Sequence, residues 1–359
     1  MSRRLDRLRR RMQEREVEAL WVSSLCNRAY LSGFDGTAGA LLITATRSAL
    51  ITDFRYVEAA REQAPEFEVH RHTSEPGERM PDVALRILHE ERISQITIEA
   101  AHVSWAEYQS LQETWQGVTI EGETDLVEEL RLSKEPQEIE RIRQACALSE
   151  AAFAEILPLF RPGVSEREIA LELEFAMRRR GARAAAFEFI IASGSRGALP
   201  HGYASEKLIE MGDLVTVDFG AEVDGYTSDI TRTVAVGRVD DEQRYIYTIV
   251  RQAQAAGLAA VRPGVRGGEV DRVARQVIEQ AGFGTAFGHS LGHGVGREVH
   301  EAPRLAQGSE DMLAAGMIVT VEPGIYRPGW GGVRIEDTVV VTETGYENLC
   351  HSGKELLVI

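Results

Sequence analysis

The first 125 residues alternate between helical and extended patterns of apolar positions. An amphipathic helix opens the chain, with its apolar face at Leu5, Leu8, Met12 and Val17. Strands are predicted in the segments ALWVSS, GALLIT, SALIT, ITIE and VTIE. Further helices are predicted at residues 54–63, 80–91 and 104–114. This alternation predicts an α/β domain.

A polar and acidic stretch from Glu121 to Pro136 follows this region, and we predict that it is a linker. The length of 359 residues is typical of about two domains, each large enough for its own core. We therefore expect one domain at residues 1–125 and a second at residues 126–359. A long helical pattern begins near Pro136, at the start of the second domain.

The second domain contains a diverged internal repeat. The segment RPGVSEREIALELEFAMRRRGA at 161–182 resembles RPGVRGGEVDRVARQVIEQAGF at 262–283, and the two differ by an offset of 101 residues. Each segment predicts a helix that ends at a glycine, Gly181 or Gly282, and a strand follows. The repeat predicts two half-domains related by a pseudo-twofold axis.

Each half carries a pair of acidic residues beside an apolar strand. In the first half, VTVDFGAEVDGYTSDITRT alternates apolar and polar residues around Asp224-Gly225, which predicts a hairpin. If these two residues form the turn, Asp218 faces Thr231 and lies near Asp229 on the same face. If the turn shifts back by one residue, Asp218 and Asp229 face each other directly. Either register brings together two carboxylates, which repel unless a cation lies between them.

The second half repeats this pattern with Glu322 and Glu336. Glu322 follows the apolar strand MIVTV, and Glu336 lies in the apolar segment GGVRIEDTVVV. Arg334 is two residues before Glu336 on the same face, where it could orient a ligand carboxylate or form a simple ion pair. Aligning the halves places Asp218 on Glu322, so both pairs are expected at the shared centre.

Three histidines lie between the acid pairs, in the segment GHSLGHGVGREVHE, at His289, His293 and His300. The first two are four residues apart, but the surrounding glycines disfavour a zinc-binding helix and predict a loop that approaches a crowded site. A fourth histidine, His201, lies in SGSRGALPHGY. One histidine would complete a ligand set with the four carboxylates, and the others would serve substrate binding and proton transfer.

Such a set, four carboxylates and one imidazole, suits two hard or borderline divalent ions. Mn²⁺ is the expected metal, with Co²⁺ or Zn²⁺ as alternatives. Ions held in this way would make a water molecule more acidic and polarise a carbonyl group, which indicates metal-assisted hydrolysis.

Composition and charge exclude other classes of function. The chain has 40 basic and 56 acidic residues, a net charge of -16, which argues against nucleic acid and against anionic membrane surfaces. Its 43% hydrophobic and 27% charged residues are typical of a globular protein. The three cysteines are far apart and form no CxxC motif, which predicts reduced thiols and a cytoplasmic location.

These motifs together resemble the pita-bread metallopeptidases, which include methionine aminopeptidase, Xaa-Pro aminopeptidase, prolidase and creatinase. The segments SGSRGALPHG, VTVDFGAEVDGYTSDITRT, FGHSLGHGVGREVHEAP, VTVEPGIY and GGVRIED carry this resemblance. The N-terminal part resembles a creatinase-like domain through YLSGFDGTAGALLIT and ITDFRY, which favours the proline-specific branch. The fold implied is α+β: a pita-bread catalytic domain preceded by an α/β creatinase-like domain, in a homodimer.

The resemblance also implies roles for individual residues. It implies a dinuclear metal centre whose ligands are Asp218, Asp229, His293, Glu322 and Glu336. Glu322 resembles the general base of the family. His201 and His300 match positions that hold the substrate and stabilise the tetrahedral intermediate, and His289 matches a histidine beside the proline pocket that could deliver a proton.

The leading functional expectation is an Xaa-Pro aminopeptidase that releases the first residue from peptides with proline at the second position. The alternative is an Xaa-Pro dipeptidase, whose pocket would bind the free carboxylate after proline. Arg297 or Arg304 could bind that carboxylate, or could be a surface cation. A metal-free creatinase-like hydrolase and a non-catalytic binding homologue are less favoured, because all five implied ligands are present.

Overall fold

The computed structural model of the protein describes residues 2–359, and the chain forms two compact units that divide between Arg131 and Leu132. The predicted linker from Glu121 to Pro136 contains the end of one strand and a short helix rather than a structureless segment. The elements of the first unit are α1 (Ser2–Glu14), β1 (Ala19–Val22), α2 (Leu25–Ser32), β2 (Ala40–Thr44), β3 (Ser48–Thr52), α3 (Val57–Gln63), β4 (Glu68–Arg71), α4 (Met80–Glu91), β5 (Gln95–Glu99), α5 (Trp105–Thr114), β6 (Thr119–Glu123) and α6 (Glu128–Leu132).

The first unit is built on a six-stranded mixed sheet with the strand order β4-β3-β2-β1-β5-β6. Strand β2 runs antiparallel to both of its neighbours, β1 and β3. The pairs β3–β4, β1–β5 and β5–β6 are parallel. Alternate residues of the central strands belong to two different buried clusters, so both faces of the sheet are covered. The predicted α/β architecture of this region is therefore confirmed.

The second unit contains the internal repeat. Its helices are α7 (Pro136–Ile156), α8 (Glu166–Arg179), α9 (Asp241–Ala260) and α10 (Gly267–Gln280). Its strands are β7 (Ala184–Ala185), β8 (Ile190–Ser193), β9 (Leu214–Phe219), β10 (Ala221–Val223), β11 (Tyr226–Thr227), β12 (Ile230–Ala235), β13 (Gly292–Gly294), β14 (Glu301–Leu305), β15 (Ile318–Val321), β16 (Gly324–Arg327), β17 (Gly331–Arg334), β18 (Asp337–Val341) and β19 (Tyr346–Asn348). Helix α10 begins and ends 101 residues after α8, the offset expected from the sequence.

The strand order also repeats. The first half contains the antiparallel sheet β12-β9-β8, and the second contains β18-β15-β13 within the larger sheet β14-β13-β15-β18-β19. The core is correspondingly divided into two buried clusters. One cluster packs α7 and α8 against the first sheet, and the other packs α9 and α10 against the second. The predicted duplication is confirmed at the level of helices, strands and cores.

Strand β12 and the segment before β18 join the two halves through hydrogen bonds. The backbone N–H of Glu336 donates to the carbonyl of Thr231 at 3.1 Å, and the Thr338 hydroxyl donates to the carbonyl of Asp229 at 2.7 Å. The buried Arg232 guanidinium donates to the Glu336 carbonyl and pairs with Asp337 at 2.9 Å. These contacts fix one acidic residue of each half beside the other.

None of the helices within residues 2–359 combines the length and the apolar content that a membrane span requires.

Helix α10 holds the segment that carries His289 through a buried ion pair. The carboxylate of Asp271 accepts two hydrogen bonds from the Arg275 guanidinium, both at 2.8 Å, and one from the N–H of Leu291 at 3.0 Å. Arg275 also donates to the carbonyls of Phe287 and His289. Neither charge is solvated, so each depends on the other.

We predict that Asp271→Ala destabilises the protein by about 3–5 kcal/mol, because it leaves the Arg275 charge buried without its partner. The measurement is denaturant-induced unfolding followed by circular dichroism. The control is Glu279→Ala, an exposed acid on the same helix, which should change the free energy of unfolding by less than about 0.5 kcal/mol. Equal losses in the two variants would contradict the prediction.

Candidate metal centre

A tight hairpin positions the acidic residues of the first half. Asp224 and Gly225 form its two-residue turn with φ angles of 50° and 74°, the left-handed region that a tight hairpin of this kind requires. Asp218 on β9 therefore faces Thr231 on β12, as the first of the two predicted registers requires. Asp229 lies two residues before Thr231, on the same face of the ladder.

The acidic residues of the second half lie at adjacent ends of a strand pair. Glu322 follows β15 directly and Glu336 precedes β18 directly. The neighbouring residues Val321 and Asp337 are cross-strand partners, so the two glutamates project from the same end of the ladder. Because Glu336 is also bonded to the Thr231 backbone, this end lies beside the hairpin of the first half.

His293 lies among these carboxylates, on β13. Its Nε2 atom is 3.3 Å from Oε1 of Glu322 and 3.6 Å from Oδ2 of Asp229. Asp229, His293 and Glu336 each offer one ligand atom, and these atoms all lie within 4.8 Å of one another. The glycine-rich segment around His293 is not helical, in agreement with the prediction, but it contains a short strand where a loop was predicted.

Two of the carboxylates each present a buried oxygen with no hydrogen-bond partner among the described residues, namely Oδ1 of Asp218 and Oε1 of Glu336. The other oxygen of each is held by the protein. Arg334 donates to Oδ2 of Asp218 at 2.6 Å, and the Thr231 hydroxyl donates to Oε2 of Glu336 at 2.6 Å. A buried anionic oxygen without a partner is costly. Oxygens oriented in this way fit the binding of cations.

The electrostatics of the site support the same conclusion. Burial, and then the repulsion from Glu336 and the other acids, raises the pKa of Asp229 well above its usual range. Burial, followed by the charges of Glu322 and Asp218, does the same to the pKa of Glu336. Burial opposes ionisation of Glu322 as well, but the contact with His293 lowers its pKa to about 2. A divalent cation would offset this repulsion, so the donor set fits such an ion.

Arg334 belongs to a network that the sequence predicted only in part. It pairs with Asp218 of the other half rather than with Glu336, and it donates to the Tyr326 hydroxyl at 2.8 Å. The same hydroxyl lies 2.8 Å from Nε2 of His289. Burial raises the pKa of Tyr326 to about 12, so this group remains a neutral phenol at physiological pH. His289 is therefore close to the site, with its ring oriented by Tyr326.

Tyr326 and Thr231 were not identified as functional from the sequence. Thr231 could have been found, because the predicted hairpin makes it the cross-strand partner of Asp218. For Tyr326 no such signal exists, since its contacts with His289 and Arg334 join separate strands and a loop.

The two exposed histidines of the predicted site, His201 and His300, lie on different loops: His201 follows β8 and His300 precedes β14. The His300 ring is 4.4 Å from the His293 ring, measured between centroids. Burial and then the charge of His293 lower the pKa of His300, and the charge of His201 contributes to the same shift. Pro200, directly before His201, accepts a hydrogen bond from Arg334 at 3.2 Å. All the predicted site residues therefore lie in or beside one cluster.

Of the two arginines considered for a substrate carboxylate, Arg297 has its guanidinium against the hairpin of the first half, beside Gly225 and Tyr226. Arg297 lies between His293 and His300, is half-buried, and places its guanidinium 5.2 Å from the centre of the Tyr226 ring. Its Nε atom is buried and has no hydrogen-bond partner among residues 2–359. Arg304 lies on β14 with an exposed side chain.

Comparisons with known proteins match both units of the chain. Residues 4–133 match the Creatinase/Prolidase N-terminal domain, and residues 140–343 match Metallopeptidase family M24. An Xaa-Pro dipeptidase from Pyrococcus furiosus is 39% identical over 99% of this chain and 100% of its own.

Solved structures resemble the chain over its whole length. An Xaa-Pro dipeptidase from Bacillus anthracis is 44% identical with a TM-score of 0.96, and the match covers 100% of this chain and 99% of the other. An X-Pro aminopeptidase from Thermotoga maritima is 38% identical with a TM-score of 0.91, with 99% of each chain covered. The resemblance inferred from the motifs is thus confirmed, and divalent metal ions are the cofactor that the matched family implies. The chain is a member of metallopeptidase family M24, with a pita-bread catalytic domain preceded by a creatinase/prolidase N-terminal domain.

Proposed function

We propose that this protein is an Xaa-Pro dipeptidase. The sequence favoured an Xaa-Pro aminopeptidase and kept the dipeptidase as the alternative, and the comparisons support the alternative better. Relatives from Pyrococcus furiosus, Pyrococcus horikoshii and Bacillus anthracis are Xaa-Pro dipeptidases. We further propose that the enzyme is a cytoplasmic homodimer, with catalysis carried by the domain at residues 126–359.

The observation that carries this proposal is the convergence of four carboxylates and one imidazole, in which two carboxylate oxygens have no hydrogen-bond partner within residues 2–359. We propose that Asp218, Asp229, His293, Glu322 and Glu336 hold two divalent ions, with Mn²⁺ as the first choice and Co²⁺ or Zn²⁺ as alternatives. Bound ions supply a Lewis acid for the scissile carbonyl and lower the pKa of a water molecule.

The residues of the chain would then provide the proton transfers. Oε1 of Glu322, which contacts His293 and the Thr320 hydroxyl, would accept the proton of the attacking water. Arg334 would keep the Asp218 carboxylate correctly oriented through their 2.6 Å contact. Thr231 would do the same for Glu336 by donating its hydroxyl.

The remaining histidines would act on the substrate. His201 and His300 are exposed at the edge of the cluster, where their imidazoles would bind the peptide carbonyl and stabilise the oxyanion. His289 is fixed on both ring nitrogens, by the Ser290 carbonyl at 2.8 Å and the Tyr326 hydroxyl at 2.8 Å. We propose that its Nε2 exchanges the Tyr326 contact for the leaving imino nitrogen of proline and passes to it the proton that Glu322 takes from the water.

Proline is a suitable substrate residue for this chemistry. The bond before proline is a tertiary amide without an N–H, and the ring restricts φ. A peptidase that must hydrogen-bond that N–H would bind such a substrate poorly. Attack by an activated water does not require it.

A dipeptidase also needs a cation that binds the free carboxylate of the proline. Arg297 suits this role better than Arg304, because it lies between His293 and His300 and its buried Nε lacks a partner in the described chain. A carboxylate on a longer peptide would lie farther along the chain and miss this guanidinium.

We predict faster hydrolysis of Xaa-Pro dipeptides than of Xaa-Pro-Yaa tripeptides, because only the dipeptide places a carboxylate beside Arg297. The measurement is kcat/KM on a matched panel such as Ala-Pro and Ala-Pro-Ala. Arg297→Gln should raise KM for Ala-Pro by roughly tenfold or more, the loss expected for a charge-assisted hydrogen bond. Arg304→Gln is the control and should leave KM unchanged. Equal turnover of the tripeptide would favour the aminopeptidase.

We predict that Glu322→Gln lowers kcat by about a hundredfold to ten-thousandfold, the range expected for loss of a general base. Circular dichroism should show an unchanged fold, because the substitution preserves shape. The control is Glu343→Gln, the same substitution at an exposed turn after β18, and it should retain normal kcat. A near-normal rate in the Glu322 variant would eliminate the proposed base.

We predict that chelation abolishes activity and that added Mn²⁺ restores it, with two ions bound per chain. The stoichiometry is measured by titration calorimetry on the chelated protein. Glu336→Gln should reduce the number of bound ions or weaken their binding, because it removes one of the oxygens oriented toward the site. Full activity in the chelated enzyme would instead indicate the metal-free, creatinase-like alternative.

A further inference from the structure

The loop between β8 and β9 carries His201, and it has little regular structure of its own. A short 3-10 turn covers residues 194–198, and the rest of the loop is irregular until β9 begins at Leu214. His201 itself is exposed. Its position near the metal centre therefore depends on contacts made by other residues of the loop.

A single buried carboxylate binds this loop at two points, Ser193 and Ser205. Glu166, in the first turn of α8, has no solvent exposure. Its Oε1 accepts hydrogen bonds from the N–H and the hydroxyl of Ser193, both at 2.8 Å. Its Oε2 accepts from the N–H of Ser205 at 3.1 Å, from the Ser205 hydroxyl at 2.6 Å, and from the Arg196 guanidinium.

Arg196 extends this connection across the loop. While it pairs with Glu166, its second terminal nitrogen donates to the carbonyl of Tyr203 at 2.9 Å. Glu166 and Arg196 together therefore hold the loop immediately before and after His201. A carboxylate that accepts five hydrogen bonds, one of them from a guanidinium, is a strong anchor, since hydrogen bonds between charged groups are the stronger ones.

The far side of the loop lies against the metal centre. Pro200 accepts a hydrogen bond from Arg334, the residue that pairs with Asp218. Gly197 approaches β17 so closely that a Cβ atom on it would lie 2.9 Å from the N of Gly332. A shift of the loop base would therefore be transmitted to His201 and to the Pro200 contact, because the loop is held between two fixed surfaces.

We infer that Glu166 is a positioning residue for His201: its buried carboxylate fixes the loop so that the imidazole stays at the edge of the metal centre. Glu166 is not itself a catalytic residue, because within the described residues its carboxylate hydrogen-bonds to Ser193, Arg196 and Ser205 and to none of the proposed metal ligands. The inference rests on the proposed function insofar as His201 acts on the substrate.

The test compares wild type, Glu166→Gln, His201→Ala and the double variant, using Mn²⁺-loaded protein and Ala-Pro. Glutamine has the same shape as glutamate, but its amide NH₂ faces hydrogen-bond donors of the loop and cannot accept from them. The side chain therefore no longer fixes the loop. We expect kcat/KM to fall on the order of a hundredfold, the effect of a misplaced group of this kind. Metal content should stay unchanged, and hydrogen exchange of residues 194–205 should accelerate.

The double variant separates positioning from general stability. If Glu166 acts through His201, Glu166→Gln should lower kcat/KM by less than about twofold when His201 is already alanine. Losses that multiply in the double variant would overturn the inference, as would unchanged kcat/KM in the single variant. Glu168→Gln is the matched control, since Glu168 lies on the same helix turn and accepts hydrogen bonds from Ser165 only.

A second variant and a measurement that does not depend on activity complete the test. Should Glu166→Gln fold poorly, Arg196→Gln removes one donor from the same anchor and should give a smaller loss in the same direction. If the wild type hydrolyses no Xaa-Pro peptide, the proposed function fails, and hydrogen exchange alone decides on the anchor. Unchanged exchange of residues 194–205 in Glu166→Gln would then overturn it, and faster exchange relative to Glu168→Gln would support it.

Discussion

Repulsion among buried carboxylates is the constraint on which the catalytic unit depends. The hairpin of the first half contributes Asp218 and Asp229, and the strand ends of the second contribute Glu322 and Glu336. The hydrogen bonds between the two halves, at β12 and at the start of β18, hold these groups close together although their negative charges repel one another. The folded chain therefore holds the four carboxylates in an arrangement whose mutual repulsion bound cations would offset. We expect metal binding to stabilise the fold for this reason.

Buried ion pairs also hold the segments that carry the other histidines. Glu166 with Arg196 anchors the loop of His201, and Asp271 with Arg275 anchors the segment of His289. Lys134 forms a third such pair at 3.2 Å, with Glu301, the residue that follows His300. In each case a charged contact fixes residues that adjoin a histidine in the chain.

Reaction class and substrate length depend on different parts of this architecture. The carboxylate and imidazole cluster supports hydrolysis of a peptide bond, and it would serve an aminopeptidase and a dipeptidase equally well. We propose that the distinction lies outside the cluster, in whether a cation binds the carboxylate after proline. Solved structures of similar identity to this chain include both an Xaa-Pro dipeptidase and an X-Pro aminopeptidase.

The sequence by itself determined the duplicated helices and the strand ends that carry the acids, because these follow from local periodicity. It left two hairpin registers open, and the structure has the one with the turn at Asp224-Gly225. The sequence also indicated the metal cluster through the repetition of acid pairs. Only the tertiary structure decided that Arg334 pairs with Asp218, that Tyr326 joins His289 to Arg334, and that Glu166 holds the loop of His201. Apart from Tyr326 and Arg334, which are eight residues apart on paired strands, those contacts join residues far apart in the chain, and no local pattern encodes which distant polar groups will meet.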